Sequence, residues 1–341
     1  MTPAPSGRSF LSLKRGYTAA LLVLLSATSS AAGGGVAPDS TRAALELHRG
    51  DLQVQFRDNS NSPRDLSGVA SLINHRATPG FDAFDPEGRG ASAGLNFEHI
   101  ISGHRNPNNK FTPRSGRYTL EALPNGAGAR LVRRAADDPW RVASTLEYRI
   151  VEPHAIDFEF RCTPEKAELF GLRGSAIFFF ADYMNDVSDV ALHFRGVPEA
   201  GSPETWITAD APPGHRDWNG GGTYRHQDAP PVEYDANSDF RLNSWSYDWP
   251  RYTEPFYFGR AAHGMTLILM FDRAYSPEDE IRFSLFKFKL PRHPRPAWDF
   301  QYVVHKVARG RTYGFRGRLI WKKFVSAEDC RNEYRKWSGQ K

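Results

Sequence analysis

Cysteine is nearly missing. Only Cys162 and Cys330 occur in 341 residues, which excludes a disulfide framework and any cysteine-rich metal site. A single bridge between them stays open, because an oxidising compartment would allow it. No HExxH or HxH spacing is present, so no metal ligand set is expected. The GxSxG run of a serine nucleophile is also absent. The glycines of "WNGGGTY" lack the Lys and the strand-to-helix setting of a phosphate loop. Apolar runs are short throughout, and none approaches the roughly 20 residues of a membrane helix.

Positive charge is scarcer than the total of +5 suggests. Arg8, Lys14 and Arg15 precede an apolar run from Thr18 to Leu25, and small residues follow up to Ala31 and Ala32. That order is the layout of a secretory signal peptide, expected over residues 1–32, with a flexible linker over 33–42. Without the leader, 41 basic and 39 acidic residues remain, a net of +2. A nucleic-acid partner, which needs a basic patch, is therefore not expected. The reading is a secreted or periplasmic monomer whose domain covers 43–338.

Short alternating runs separated by Gly, Pro and Asn clusters argue for an all-β sandwich or barrel. In "AIDFEFRCT" Ile156, Phe158, Phe160 and Cys162 share one face, and Asp157, Glu159 and Arg161 the other. "WDFQYVVH" repeats the pattern with Trp298, Phe300, Tyr302 and Val304, and "TYGFRGRLIW" with Tyr313, Phe315, Leu319 and Trp321. "SAIFFFADY" and "MTLILMFD" are apolar on both faces, as in central strands covered on both sides. One helix is expected at the C-terminus. Ser326 suits the N-cap, Asp329 the N3 position, and Val325 with Cys330 a hydrophobic staple. Cys330, Tyr334 and Trp337 give that helix an apolar stripe.

Two regions carry polar chemistry. "GLNFEHIISGHRNPNNKFTPR" places Glu98, His99, His104 and Arg105 within eight positions and adds Asn106, Asn108 and Asn109. It reads as a strand and loop that form the floor of a polar site. Between Val197 and Pro255 the strand rhythm breaks down among many aromatics, including Trp206, Trp218, Tyr224, Trp245, Trp249 and Tyr252. A loop that long inside a compact domain is usually functional or disordered, and disordered segments are poor in aromatics.

Sugars stack their C–H faces on aromatic rings and pair their hydroxyls with polar side chains, so the two regions together suit a carbohydrate. Hydrolysis needs two carboxyl groups; Glu98 is the first candidate, with Asp182, Asp248 or Glu254 as the second. β-Elimination from a uronic acid would instead use His99, His104 or Tyr183 as base, with Arg105 or Asn106 holding the carboxylate. Trp218, His226, Trp245 and Trp249 are the remaining candidates for substrate binding. No cofactor is expected beyond a structural calcium at Asp235, Asn237 and Asp239, whose alternating oxygens suit that ion.

The chain also resembles the galactose-mutarotase-like supersandwich proteins. The likeness spans residues 45 to 338 and rests on "WRVASTLEYRIVEPHAIDFEFRCTP", "GSAIFFFADYMND" and "YGFRGRLIWKKFVSAEDCRNEYRKW". It implies two large antiparallel sheets with a carbohydrate site on a concave sheet face, and a function among glycosidases, polysaccharide lyases and sugar epimerases. The His-x-Tyr-x-Asn-Leu run of simple epimerases is absent, as is the helical toroid of many lyases. A glycan-cleaving enzyme is the expectation; a non-catalytic carbohydrate-binding or cell-envelope interaction protein is the alternative.

Overall fold

A computed structural model describes residues 43–59, 67–84, 94–109, 112–210, 220–238, 248–288 and 295–339. The expected leader and linker lie outside the described residues. The alternating stretches are strands. In chain order they begin with β1 (Ala44–Arg49), β2 (Leu52–Arg57), β3 (Gly68–Asn74), β4 (Gly94–Ser102), β5 (Thr119–Ala122) and β6 (Gly128–Arg133). Next come β7 (Val142–Val151), β8 (Ala155–Pro164), β9 (Ala176–Tyr183), β10 (Leu192–Val197), β11 (Thr205–Ala209) and β12 (Gly220–Tyr224). The last are β13 (Arg251–Tyr252), β14 (Phe256–Arg260), β15 (Met265–Phe271), β16 (Glu280–Phe288), β17 (Arg295–Val304) and β18 (Tyr313–Lys323). A single helical turn, α1 (Thr112–Ser115), follows β4, and α2 (Ala327–Ser338) ends the chain.

The strands form two antiparallel sheets. The first has eight strands in the order β1-β2-β3-β4-β9-β17-β16-β12. The second has ten: β11-β10-β14-β15-β18-β8-β7-β6-β5, with β13 beside β10. This is the two-sheet antiparallel supersandwich that the resemblance implies. Alternation sends Phe178 and Phe180 of β9 inward with Phe97, Phe160, Phe300 and Phe315. Phe180 stacks on Phe300 at 4.9 Å and on Phe97 at 5.0 Å. Burying each such ring is worth about 1.5–3 kcal/mol, so this aromatic seam fixes which face of each strand looks inward.

The two doubly apolar runs are central strands, as their composition requires. β9 lies between β4 and β17, and β15 between β14 and β18. The outward residues of β9 (Ile177, Phe179 and Ala181) form a small cluster with Ile101 and Val303, against which Val232 packs. The outward Ile268 and Met270 of β15 are covered instead by α2, through Cys330 and Tyr334. Ser326 caps that helix by accepting from the Asp329 N–H at 3.0 Å. The expected staple does not form, because Val325 is 68% exposed; its side chain cannot reach Cys330, which faces the sheet. The two thiols are free. Cys162 lies between the sheets and Cys330 on the outer side of the second sheet, so the sheet itself separates them.

The aromatic excursion holds more regular structure than its composition suggests. β11, β12 and β13 fall inside it. Glycines hide β12, since "GGG" gives no side-chain alternation to read, yet it pairs with β16 from Gly220 to Tyr224.

Removal of residues 326–341 should uncover Met270, Ile268 and Phe256. With two large side chains lost from the cluster at about 1.5–3 kcal/mol each, the melting temperature should fall by many degrees. A truncated chain that melts like the full one would show that α2 does not brace the sheet.

Candidate functional site

A break in register builds the site. β4 pairs with β9 as Phe97 with Phe180 and then His99 with Phe179, so Glu98 is an extra residue in a β-bulge. A regular strand would point Glu98 and His99 to opposite faces; the bulge lets both serve the outer face of the eight-stranded sheet, and bulges recur beside active sites. The carboxylate of Glu98 is buried. Its Oε1 accepts from the Tyr183 hydroxyl at 2.6 Å and from Arg114 Nη1 at 2.8 Å. Its Oε2 lies 3.2 Å from His99 Nε2. Burial alone would raise the Glu98 pKa, but His99, Arg114 and Tyr183 outweigh it and hold it below the ordinary value. Glu98 is an anion. The Tyr183 phenol is pushed well up, first by burial and then by the Glu98 charge, so it stays protonated.

The same face continues across β17, β16 and β12. Inward Trp298, Phe300 and Tyr302 leave Asp299 and Gln301 outward, and both are buried. Asp299 is raised well above the ordinary carboxyl range by burial, with the Glu98 charge adding to it and a backbone N–H from Asp182 opposing. That N–H donates to Asp299 Oδ1 at 2.9 Å. Further along, Glu280 accepts from Arg225 at 2.7 Å and lies 3.1 Å from Arg282, a buried charge network that fixes this end of the face. The exposed margin is aromatic and cationic. Tyr183, Phe286 and Phe288 are half-buried, with Phe288 5.9 Å from Tyr183 and 4.7 Å from Phe286. Arg114, 20% exposed, lies 5.9 Å from the Tyr183 ring centre.

Of the candidates from the sequence, Glu98, His99 and Tyr183 are therefore one contacting cluster. His104, Arg105 and Asn106 follow the end of β4 and serve loop structure there. The His104 carbonyl accepts from Ser102 and Asn109, Asn237 accepts from the Arg105 N–H, and Asn106 donates to the Leu169 carbonyl. Asp235 accepts from the N–H groups of Leu172 and Arg173, an Asx-rich turn, while Asp239 lies outside the described residues. So do Trp218 and Trp245.

The other candidates belong to the second sheet's surroundings. His226 accepts from Arg273 and packs on Tyr252, whose ring stacks on Phe283 between the sheets. Burial, then the Arg273 charge, lowers its pKa to about 4. Asp248 is exposed, and Trp249 lies under the Arg251 guanidinium at 5.4 Å. Glu254 is gripped by Arg331 of α2 at 2.5 Å. Glu254 therefore does not share the face that carries Glu98, against the expectation that the two regions act together: helix α2, which holds Glu254, packs on the other sheet. Tyr224 and Tyr252 are core residues, and Trp206 packs on Phe256 and Phe258.

Sequence reasoning missed Arg114, Asp299, Gln301, Phe286 and Phe288. A signal for two of them existed: polar residues alternating with large aromatics in "WDFQYVV" fit a central strand whose second face is a polar floor.

No family model matches this sequence, and no curated protein matches it. Among solved structures, a heparan sulfate lyase from Pedobacter heparinus is 9% identical, with a TM-score of 0.43 over 86% of this chain and 38% of that one. An alpha-N-acetylgalactosaminidase from Bifidobacterium bifidum is 10% identical, with a TM-score of 0.44 over 87% and 38%. A GalM/aldose epimerase homologue from C. elegans is 9% identical, with a TM-score of 0.39 over 84% and 100%. The chain thus spans 38% of the length of the first two.

Proposed function

We propose that this chain is an exported carbohydrate-active enzyme that hydrolyses a glycan on the outer face of its eight-stranded sheet. One observation carries the reading: two carboxyl groups on that face are driven to opposite protonation states, Glu98 down and Asp299 up. Such a split is how a site obtains a base and an acid from the same functional group. Glu98 takes the base role, and Asp299 holds the proton that a leaving oxygen needs. The protonated Tyr183 orients Glu98, and Arg114 keeps it charged. Phe286, Phe288 and Tyr183 at the exposed margin supply the faces on which sugar rings stack.

Elimination is less well supported, because the Tyr183 phenol would have to ionise against burial and an adjacent carboxylate. β4 and β17 flank β9, so Glu98 and Asp299 stand two strands apart on one face of the sheet. Glu98 is also fully partnered, and this favours the alternative, a non-catalytic glycan-binding or cell-envelope protein.

A panel of neutral and uronate-containing polysaccharides separates these readings. New reducing ends are expected, without unsaturated uronates. Unsaturated products would move the site to elimination, and binding without any product would leave the non-catalytic role.

A further inference from the structure

We infer that Arg133 and Asn59 are positioning residues for the Glu98 cluster: they hold α1 in the place where its Arg114 meets Glu98. The effect on turnover rests on the reading of that face as a catalytic site; the positioning itself does not.

α1 is four residues long and cannot hold its own shape, since isolated helices of even ~12 residues are marginal in water. Its internal bonding is also irregular. The Gly116 N–H donates to the Pro113 carbonyl at 3.2 Å, whereas a regular α-turn would send it to Thr112. The Thr112 carbonyl accepts instead from Arg133 Nη1 at 3.1 Å. The Arg114 carbonyl accepts from Asn59 Nδ2 at 3.0 Å. Side chains from outside the turn thus grip its backbone at both residues. Arg133 ends β6 in the ten-stranded sheet, and Asn59 follows β2 of the eight-stranded one.

Arg133 suits a clamp because it is itself fixed. Its side chain is 1% exposed, with Nε 3.7 Å from Asp138. Nη2 donates to the Asp137 carbonyl at 3.2 Å, and the guanidinium lies 5.6 Å from the Tyr118 ring centre. The planar fork serves Thr112 and Asp137 together, which the single ammonium of a lysine does not reproduce. Gly116 completes the fit: a Cβ there would fall 2.1 Å from Arg133 Cζ.

The clamp preserves a balance of charge. Glu98 is faced by His99 of its own strand, Tyr183 of β9, Arg114 of α1 and the Asp299 carboxyl of β17. Of these, Arg114 alone carries a charge that no ordinary pH removes. If α1 shifts, Arg114 leaves Glu98, and burial then raises the carboxyl with less to oppose it.

An NMR titration of the full chain with labelled glutamate carboxyls tests this, the Glu98 signal being the one lost in Glu98→Gln. Arg133→Lys and Asn59→Ala should each shift the Glu98 pKa upward, as Arg114→Ala does. In the Arg114→Ala background neither should shift it further, the non-additivity expected of groups that act through one another. Asn59→Ala leaves the buried Arg133 and Asp138 together, so it supplies a folded variant should Arg133→Lys not fold. Where turnover is measured, its acid limb should move up with the Glu98 pKa. The titration needs no substrate, so wild-type turnover in Glu98→Gln would end the catalytic reading and leave the positioning intact. A wild-type Glu98 pKa in the folded clamp variants, or a shift equally large without Arg114, would overturn the inference.

Discussion

Glu98→Gln should lower turnover by at least ~10²-fold, the low end for a lost general base. The substitution keeps the shape of the side chain and one acceptor oxygen for Tyr183, so the bulge in β4 can persist. It removes the negative charge that Tyr183, Arg114 and His99 converge on, and with it the base assigned to activate water. The effect should appear mainly in kcat, since the charge acts on the reacting atoms more than on the rest of the glycan. The pH profile offers a second readout. Glu98 has a folded pKa below its ordinary value of 4.5, so wild-type activity should fall on the acid side only below that value. The same group stabilises the fold at pH values above the unfolded carboxyl pKa, and this contribution is lost as pH falls through the lower folded pKa. Acid denaturation should therefore coincide with the acid limb. Wild-type turnover in Glu98→Gln would remove Glu98 from the mechanism, and with it the enzymatic reading of this face.

Alternation made much of the fold legible, and the same rule explains what stayed hidden. Ile156, Phe158 and Phe160 face the inter-sheet core as their spacing requires, and "SAIFFFADY" lies mid-sheet because neither of its faces tolerates water. Alternation states which residues share a face, not whether that face is covered. Asp299 and Gln301 look like the wet side of β17 and are instead buried. Glu98 and His99 stand out as polar residues within an otherwise apolar strand, but the bulge that lets them act together depends on pairing with β9, some 80 residues later. Arg114 completes the cluster from α1, where no periodicity marks it. The aromatic excursion misled for the opposite reason. Ring content signals burial as readily as ligand stacking, and Tyr224, Tyr252 and Trp206 are spent on packing. Glu254 owes its position to Arg331, 77 residues away, a distance at which sequence carries no pairing signal.

Asp182→Asn should make the protein more stable than wild type at neutral pH and above, by a margin that grows with pH. Asp182 follows Phe178 and Phe180 in the alternation of β9, which turns its carboxyl into the aromatic space between the sheets, opposite Leu95. It is fully buried, and neither oxygen has a hydrogen-bond partner among the described residues. Burial raises its pKa well above the ordinary value, so the native state keeps the proton that the unfolded chain releases above pH ~4. For a carboxyl whose folded pKa is raised, stability is intact below the unfolded pKa and declines as pH rises toward the folded one. The slope is about 1.4 kcal/mol per pH unit for one such proton. Asn has no proton to release, so the variant lacks this share of the slope, although the raised Asp299 still supplies its own. The backbone N–H that holds Asp299 is unchanged by the substitution, so turnover should survive. Urea denaturation of both proteins from pH 4.5 to 8 reads the difference directly: near pH 4.5 the two curves should lie close together, and they should separate steadily as pH rises. A difference that does not vary with pH would mean that Asp182 is ionised in the native state, with a partner supplied by residues outside those described or by buried water.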